Sequence, residues 1–350
     1  MSARFSNTRL KLLGSGSALP GDPVDNDELL AALATHCGRG KARLARKYAD
    51  RLGIRSRHVS RDLGKAKSGA REGFDAPTLC RDAIVAAAGP AAITYLIGHT
   101  STPHTLLPPN IAWVADGLQY AGPYLELRQA CTGFANALAV AAAMIAEDDG
   151  AAIGIVGSEN GSPYFDIAED FANREQLVNF VQMGDGAGAV LLGADDGSGQ
   201  AIVSDIFVGQ IGLGMQPGIS LEGGGSADPT CDYGLPLFNH RARDVRRNGE
   251  QLLAAGIAAI ESRGHSLGEF DWIIPHQANG HIADLFAERF PETEGKVFVT
   301  ADRLGNLGSA AIWVSFDELR RSGELERGQR VLVLGAEASK YLYGGFVYTH

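Results

Sequence analysis

A cysteine, a histidine and an asparagine stand far apart in this 350-residue chain, each among small residues: Cys131 in QACTGFANAL, His276 in IIPHQANGHI and Asn306 in ADRLGNLGSAA. A thiolate can attack a thioester carbonyl, while a neutral imidazole and an amide can both donate hydrogen bonds to an enolate oxygen. Together these types suit the making and use of a protein-bound acyl thioester. None decides alone. An unpaired cysteine in an apolar run is more often a small buried hydrophobe, a lone histidine a core or capping residue, and an asparagine between glycines a turn residue.

The elements that must position these groups are legible as patterns. Residues 125–145 read as a short strand, a tight turn at residues 129–130 and a small-residue helix starting at Cys131. In the first turn of a helix, unpaired N–H groups and the positive dipole end favour a thiolate, so a depressed Cys131 pKa is expected. His276 and Asn306 follow strands predicted over residues 271–275 and 296–300, and in α/β sheets the loops beyond the carboxyl ends of strands build the site. Helices are predicted over residues 25–49, 77–88, 111–118, 244–263, 279–290 and 309–321, and a glycine-rich loop over residues 209–235. His99 and His104, in the loop HTSTPHT, read as structural histidines because no third ligand lies near them in sequence.

The chain also repeats itself. VFVTADRLGNLGSAAIWVSFDEL followed by RVLVLGAEAS restates the plan of YLELRQACTGFANALAVAAAMI followed by AIGIVGSEN: strand, turn, small-residue helix, buried strand, Gly-x-Glu. ADDGSGQ at residues 194–200 marks a seam, giving halves 1–196, with the cysteine, and 197–350, with the histidine and asparagine. Alternating strands and helices in each half imply parallel sheets, and two such units stack as α/β/α/β/α layers.

Composition narrows the function classes. A formal net charge of −10 disfavours nucleic acid and anionic membranes as partners. No apolar run suggests a signal peptide or a membrane span, and the four cysteines are widely spaced without a metal-ligand rhythm, so a cytoplasmic protein without a metal is expected. The basic run Arg39, Lys41, Arg43, Arg46, Lys47, Arg51 and Arg55 is the main local exception to the acidic balance, with Arg241, Arg243, Arg246 and Arg247 as a second.

The order Cys, His, Asn also occurs in papain-like proteases. Their cysteine lies in a CGSCW-like context near the mature N-terminus, whereas Cys131 lies mid-chain, and that reading is rejected. With GSGSALP, GIRSRH, QACTGFANAL, GDGAGAVL, PHQANGHI and GNLGSAA in register, the chain instead resembles β-ketoacyl-acyl carrier protein synthase III of the thiolase superfamily over nearly its whole length. The resemblance implies a thiolase-like five-layer α/β/α/β/α fold, a homodimer, and condensation without metal or redox cofactor in fatty-acid or polyketide-type biosynthesis. Its substrates would be acyl and malonyl thioesters of acyl carrier protein or CoA. By the same resemblance Cys131 is the nucleophile, and His276 and Asn306 hold the malonyl thioester carbonyl and the developing enolate. Backbone donors at Cys131 and Ser339 form the oxyanion hole, Asn279 and Leu107 bind substrate, and Lys47, Arg51 and Arg55 dock the carrier protein.

Two departures are specific. Where the family carries three glycines this chain has Ala338-Ser339-Lys340, and a left-handed backbone there would cost roughly 1 kcal/mol or more. The family's adenine clamp falls on Lys47 and Leu177, which implies carrier-bound donors in preference to CoA-bound ones. Two other activities stay open: transfer of the acyl group to an alcohol or amine on the same fold, and a non-catalytic dimer partner. Intact His276 and Asn306 count against the first, and Cys131 against the second.

Overall fold

The structure, a computed structural model, describes residues 3–88, 93–231, 234 and 236–350. The chain begins with β1 (Arg4–Ser6), β2 (Leu10–Ala18), β3 (Val24–Asp25), α1 (Asn26–Cys37), α2 (Arg39–Leu52), β4 (Ser56–Arg57) and α3 (Ala76–Ala88). There follow β5 (Tyr95–His99), α4 (Asn110–Leu118), β6 (Tyr124–Leu127), α5 (Gly133–Glu147), β7 (Ile153–Glu159), α6 (Arg174–Gln182) and β8 (Gly186–Ala194). The second half holds β9 (Ile202–Gln210), β10 (Ile219–Glu222), β11 (Leu237–His240), α7 (Ala242–Glu261), β12 (Trp272–Pro275) and α8 (Ile282–Arg289). It closes with α9 (Ala301–Leu304), α10 (Ala311–Arg321), β13 (Arg330–Glu337) and β14 (Leu342–Thr349).

The large strands form one hydrogen-bonded path, β12-β13-β14-β9-β2-β8-β7-β5-β6, with β1 against β9. First-half and second-half strands meet where β2 touches β9, through Leu10↔Val203 and Lys11↔Ile202. The parallel pairing expected from the repeat holds among β6, β5 and β7 and between β12 and β13. It fails for β8, β2, β14 and β9, which pair antiparallel. For β13 and β14 the reason is plain: residues 338–341 make a connection too short for a parallel crossover.

Two helices sit between the sheet halves. α5 packs on β5, β7 and β8 of the first half and on β9 and β14 of the second, and α10 packs on β2 and β8 as well as β12. α3 covers β2, β7 and β8, and α7 covers β9, β13 and β14, which completes the five-layer order. Small buried residues on α5, Ala135, Ala137, Ala141 and Ala142, let it lie close to both halves of the sheet. Phe134 fills the gap between them, its ring 5.7 Å from Trp313 of α10 and 6.0 Å from Phe346 of β14. A second apolar cluster, including Leu29, Leu33, Phe165, Phe180 and Phe238, joins α1, α2 and α6.

Several predicted elements are corrected. The helix expected over residues 25–49 is two, broken at Gly38, whose φ is 84°; Asp25 caps α1 by accepting from the Glu28 N–H at 2.9 Å. The strand expected over residues 296–300 touches β12 only at Ile273↔Val297. Gln277 diverts its backbone groups: Nε2 donates to the Phe298 carbonyl at 3.0 Å, and Oε1 accepts from Thr300 at 2.9 Å and Ala301 at 3.2 Å. The helix expected from residue 309 opens as a 3₁₀ turn, Gly308–Ala310. The stretch expected to be loop over residues 209–235 contains β10, paired antiparallel with β11, while residues 232, 233 and 235 lie outside the described residues. Among the described residues no helix is long and apolar enough to cross a membrane.

Candidate active site

Cys131 stands just before α5, not within it: Thr132 is the N-cap, and the Gly133 N–H closes a turn on the Ala130 carbonyl at 2.9 Å. The turn is held from the other half of the chain. Glu337, buried at the end of β13, accepts from the Thr132 N–H at 3.0 Å and from Thr132 Oγ1 at 2.7 Å. Gln129 Nε2 donates to the same hydroxyl at 3.0 Å, and Asn136 Nδ2 in turn steadies Gln129 Oε1 at 2.8 Å. At Gly335 the strand passes so close that an added Cβ would lie 3.4 Å from the Cys131 carbonyl oxygen and 2.5 Å from Phe134 Cε1.

The depressed thiol pKa expected for Cys131 is overturned. Burial raises it well above the ordinary value, and the carboxylates of Glu337 and Glu159 raise it further. A helix end acts within about one turn and is worth roughly 0.3–1 kcal/mol at exposed sites, less than desolvation combined with two nearby negative charges. Cys131 therefore rests as a thiol.

His276 follows β12, whose Pro275 pairs with Leu334, so it stands one residue further on, level with Gly335 and hence with the Cys131 turn. Burial pushes its imidazole down to about 4, and its Nδ1 is buried without a hydrogen-bond partner. It is therefore neutral at pH 7, able to accept a proton at one nitrogen and donate from the other. Carbon dioxide release from a malonyl thioester is expected to hold level as pH falls from about 8 to about 5, declining only towards 4, where the imidazole takes up its second proton. A limb near the ordinary value of about 6.5 would contradict this placement.

Asn306 lies in the loop between α9 and α10. Its N–H donates to the Gln182 carbonyl at 2.8 Å, its carbonyl accepts from Gly184 at 3.1 Å, and its Oδ1 accepts from the Gly308 N–H at 3.0 Å. With Oδ1 committed, Nδ2 is the side-chain donor. Gln182 couples this loop to the histidine loop, because its own Nε2 donates to the Ala278 carbonyl at 2.8 Å. Sequence patterns did not single out Gln182 or Gln277; Glu159 and Glu337 were visible as the Gly-x-Glu repeat, but their partners were not.

The remaining expected positions divide. Ser339 is tied to the Cys131 turn through Glu337, whose Oε1 accepts its hydroxyl. The left-handed strain expected at Ala338-Ser339-Lys340 is absent there and falls one residue later, on Tyr341 with φ 58°. Asn279 lies in the histidine loop with its Oδ1 accepting from His281 N–H at 2.9 Å. That loop rests on the end of α2: the Gly280 N–H donates to the Leu52 carbonyl at 2.8 Å, and Arg55 pairs with Asp302. Lys47, Arg51 and Arg55 are exposed, and the first two lie one helical turn apart on α2. Leu177 is buried in the apolar cluster under α2, so it takes no part in a surface clamp. Leu107 is 84% exposed on the loop before α4, so in a single protomer its side chain meets solvent. His99 is structural, as expected: it is buried beneath Gly133 and accepts from Trp313 Nε1 at 3.0 Å.

Five layers, with the cysteine turn and the His276 loop at strand ends and the Asn306 loop bonded to the latter through Gln182, give a thiolase-type fold. Solved structures agree in shape. A tetronic acid condensing enzyme superposes with a TM-score of 0.83 at 27% identity, covering 97% of this chain and 100% of that one. 3-Oxoacyl-(acyl carrier protein) synthase III from Pseudomonas aeruginosa shares the fold with a TM-score of 0.78 at 22% identity, covering 98% of each chain. In sequence, the family models for 3-oxoacyl-[acyl-carrier-protein] synthase III and for its C-terminal part match residues 125–208 and 260–348. β-Ketoacyl-[acyl-carrier-protein] synthase III of Bordetella petrii is 31% identical over 340 residues, which is 93% of each chain. This chain belongs to the β-ketoacyl-acyl carrier protein synthase III family, a divergent member among its transferases.

Proposed function

We propose that this chain joins a Cys131-bound acyl group to a malonyl unit by decarboxylative Claisen condensation, in fatty-acid or polyketide biosynthesis. The observation that carries the assignment of roles is the convergence of three loops on one place: Gly335 sets the Cys131 turn beside the strand flanking His276, and Gln182 bonds to both the His276 and Asn306 loops. In the first half-reaction Sγ bonds to the acyl carbon, the donor's C–S bond breaks, and the thiol proton passes by way of His276 to the departing thiol. In the second, the malonyl C–C bond breaks, carbon dioxide leaves, and the electron pair moves into an enolate whose oxygen His276 and Asn306 hold. The enolate carbon attacks the acyl carbon and expels the Cys131 thiolate, giving a β-ketoacyl thioester, and the thiolate takes up a proton from solvent to return to the thiol. No metal or redox group enters either step. Incubation with an acyl donor and malonyl-carrier protein, read by mass for carbon dioxide loss and a new C–C bond, tests this. Acyl transfer to an added alcohol or amine without carbon dioxide loss would favour the acyltransferase instead.

Substrate delivery follows from charge. An acidic carrier protein would be repelled by a chain of net charge −10 unless a local positive surface receives it. Lys47 and Arg51 supply one on α2, whose end touches the loop carrying Asn279. Lys47→Glu with Arg51→Glu is expected to raise KM for a carrier-bound donor several-fold and to leave a short pantetheine thioester unaffected, with added salt weakening the wild type likewise. Equal effects on both donors would make the patch a solvated helix face. As the family resemblance implies, we propose that the chain works as a homodimer.

A further inference from the structure

The Gly-x-Glu that closes each repeat does the same work twice, each time on the opposite half. Glu159, the last residue of β7, accepts from the Ser309 N–H and from Ser309 Oγ, both at 2.9 Å. Glu337, the last residue of β13, accepts from the Thr132 N–H and Oγ1 at 3.0 and 2.7 Å. Thr132 and Ser309 hold equivalent places before the two central helices, α5 and α10. The carboxylates are crossed clamps.

What precedes each clamped hydroxyl residue differs. Gly308 precedes Ser309, and a Cβ there would lie 2.2 Å from Glu159 Oε2; Cys131 precedes Thr132. Glu159 is further occupied by Ser101, at 2.8 and 2.9 Å, and by Thr102. The other oxygen of Glu337 accepts instead from Ser339, in the loop that replaces three glycines. One carboxylate therefore joins the turn of the nucleophile to the loop that carries the second oxyanion donor.

We propose that Glu337 is a positioning residue for acyl transfer, fixing the Cys131–Thr132 turn and the Ser339 loop in one frame so that both backbone N–H groups meet the same thioester oxygen. This rests on Cys131 being the nucleophile. Around the Cys131 turn stand Glu337 from β13, Glu159 from β7, His99 from β5 and His276 beyond β12. The charge of Glu337 itself works against the thiolate, because it is the largest influence on the Cys131 thiol after burial and raises its pKa. Its presence there is accounted for by the three hydrogen bonds it collects rather than by activation of the sulfur.

The test compares the full chain with Glu337→Gln and Glu337→Ala, measuring acylation of Cys131 by peptide mass and iodoacetamide alkylation of the same residue across pH. The alanine variant is expected to lose about tenfold or more in the acylation rate constant with KM within about twofold, since three contacts vanish. The glutamine variant, whose amide oxygen still accepts from Thr132, is expected to recover to within about threefold of wild type. In both variants the alkylation midpoint should move to lower pH, because a negative charge beside the sulfur is gone. Wild-type acylation by the alanine variant would overturn the proposal, as would a glutamine variant as slow as alanine. Should Glu337→Ala fail to fold, Thr132→Val removes one of the same bonds, and its acylation rate must fall about threefold with KM unchanged or the proposal is wrong. Absence of an acyl group on Cys131 in the wild type would overturn the nucleophile itself, a result distinct from all of these.

Discussion

Cys131→Ala is expected to carry no acyl group and to give no condensation product, with the fold intact. The substitution removes one half-buried sulfur from a turn outside α5, so helix stability is not at issue, and Thr132 keeps its bonds to Glu337. Nothing else in the gathered loops is a nucleophile of comparable strength: His276 is neutral and held low by burial, and Asn306 is an amide. Intact-protein mass after incubation with an acyl donor reads the first expectation. A thermal or urea melt close to that of the wild type reads the second. An acyl adduct on the alanine protein would place the nucleophile elsewhere.

The second large effect belongs to the two donors. His276→Ala and Asn306→Ala are each expected to slow malonyl decarboxylation by about 10²–10³-fold, since one preorganised donor to a developing oxyanion is commonly worth ~2.7–4 kcal/mol. Asn306→Ala should hardly change acylation of Cys131, because the amide is assigned only to the enolate. His276→Ala should slow acylation as well, because the raised thiol pKa leaves little thiolate at pH 7 and the proton needs an acceptor. Single-turnover measurements of acyl loading and of carbon dioxide release separate the two steps. Normal decarboxylation by both variants would make the acyltransferase the better account of this site.

The residues proposed to carry chemistry were legible because each sits in a dense local motif. QACTGFANAL, PHQANGHI and GNLGSAA are runs of small residues around one reactive type, and their order along the chain matches one family. The duplication was legible for a related reason: strand, turn, small-residue helix and Gly-x-Glu is a pattern of residue sizes, which a sequence displays directly. From these followed the five layers, and the proposal of a nucleophile and two partners.

Strand direction, protonation state and support were decided only by the tertiary structure. β14 returns antiparallel because a short connection closes it onto β13, and the strand expected over residues 296–300 gives way to the side chain of Gln277. The Cys131 thiol is raised, not lowered, because two carboxylates distant in sequence converge on a buried turn, while position before a helix is the only cue the local sequence offers. Glu337 and Thr132 are 205 positions apart, and Glu159 and Ser309 are 150. Hydrogen bonds of that span leave no periodicity, so the sequence determined which residues are proposed to react, and the packing of one half against the other decided in what state and in what frame they are held.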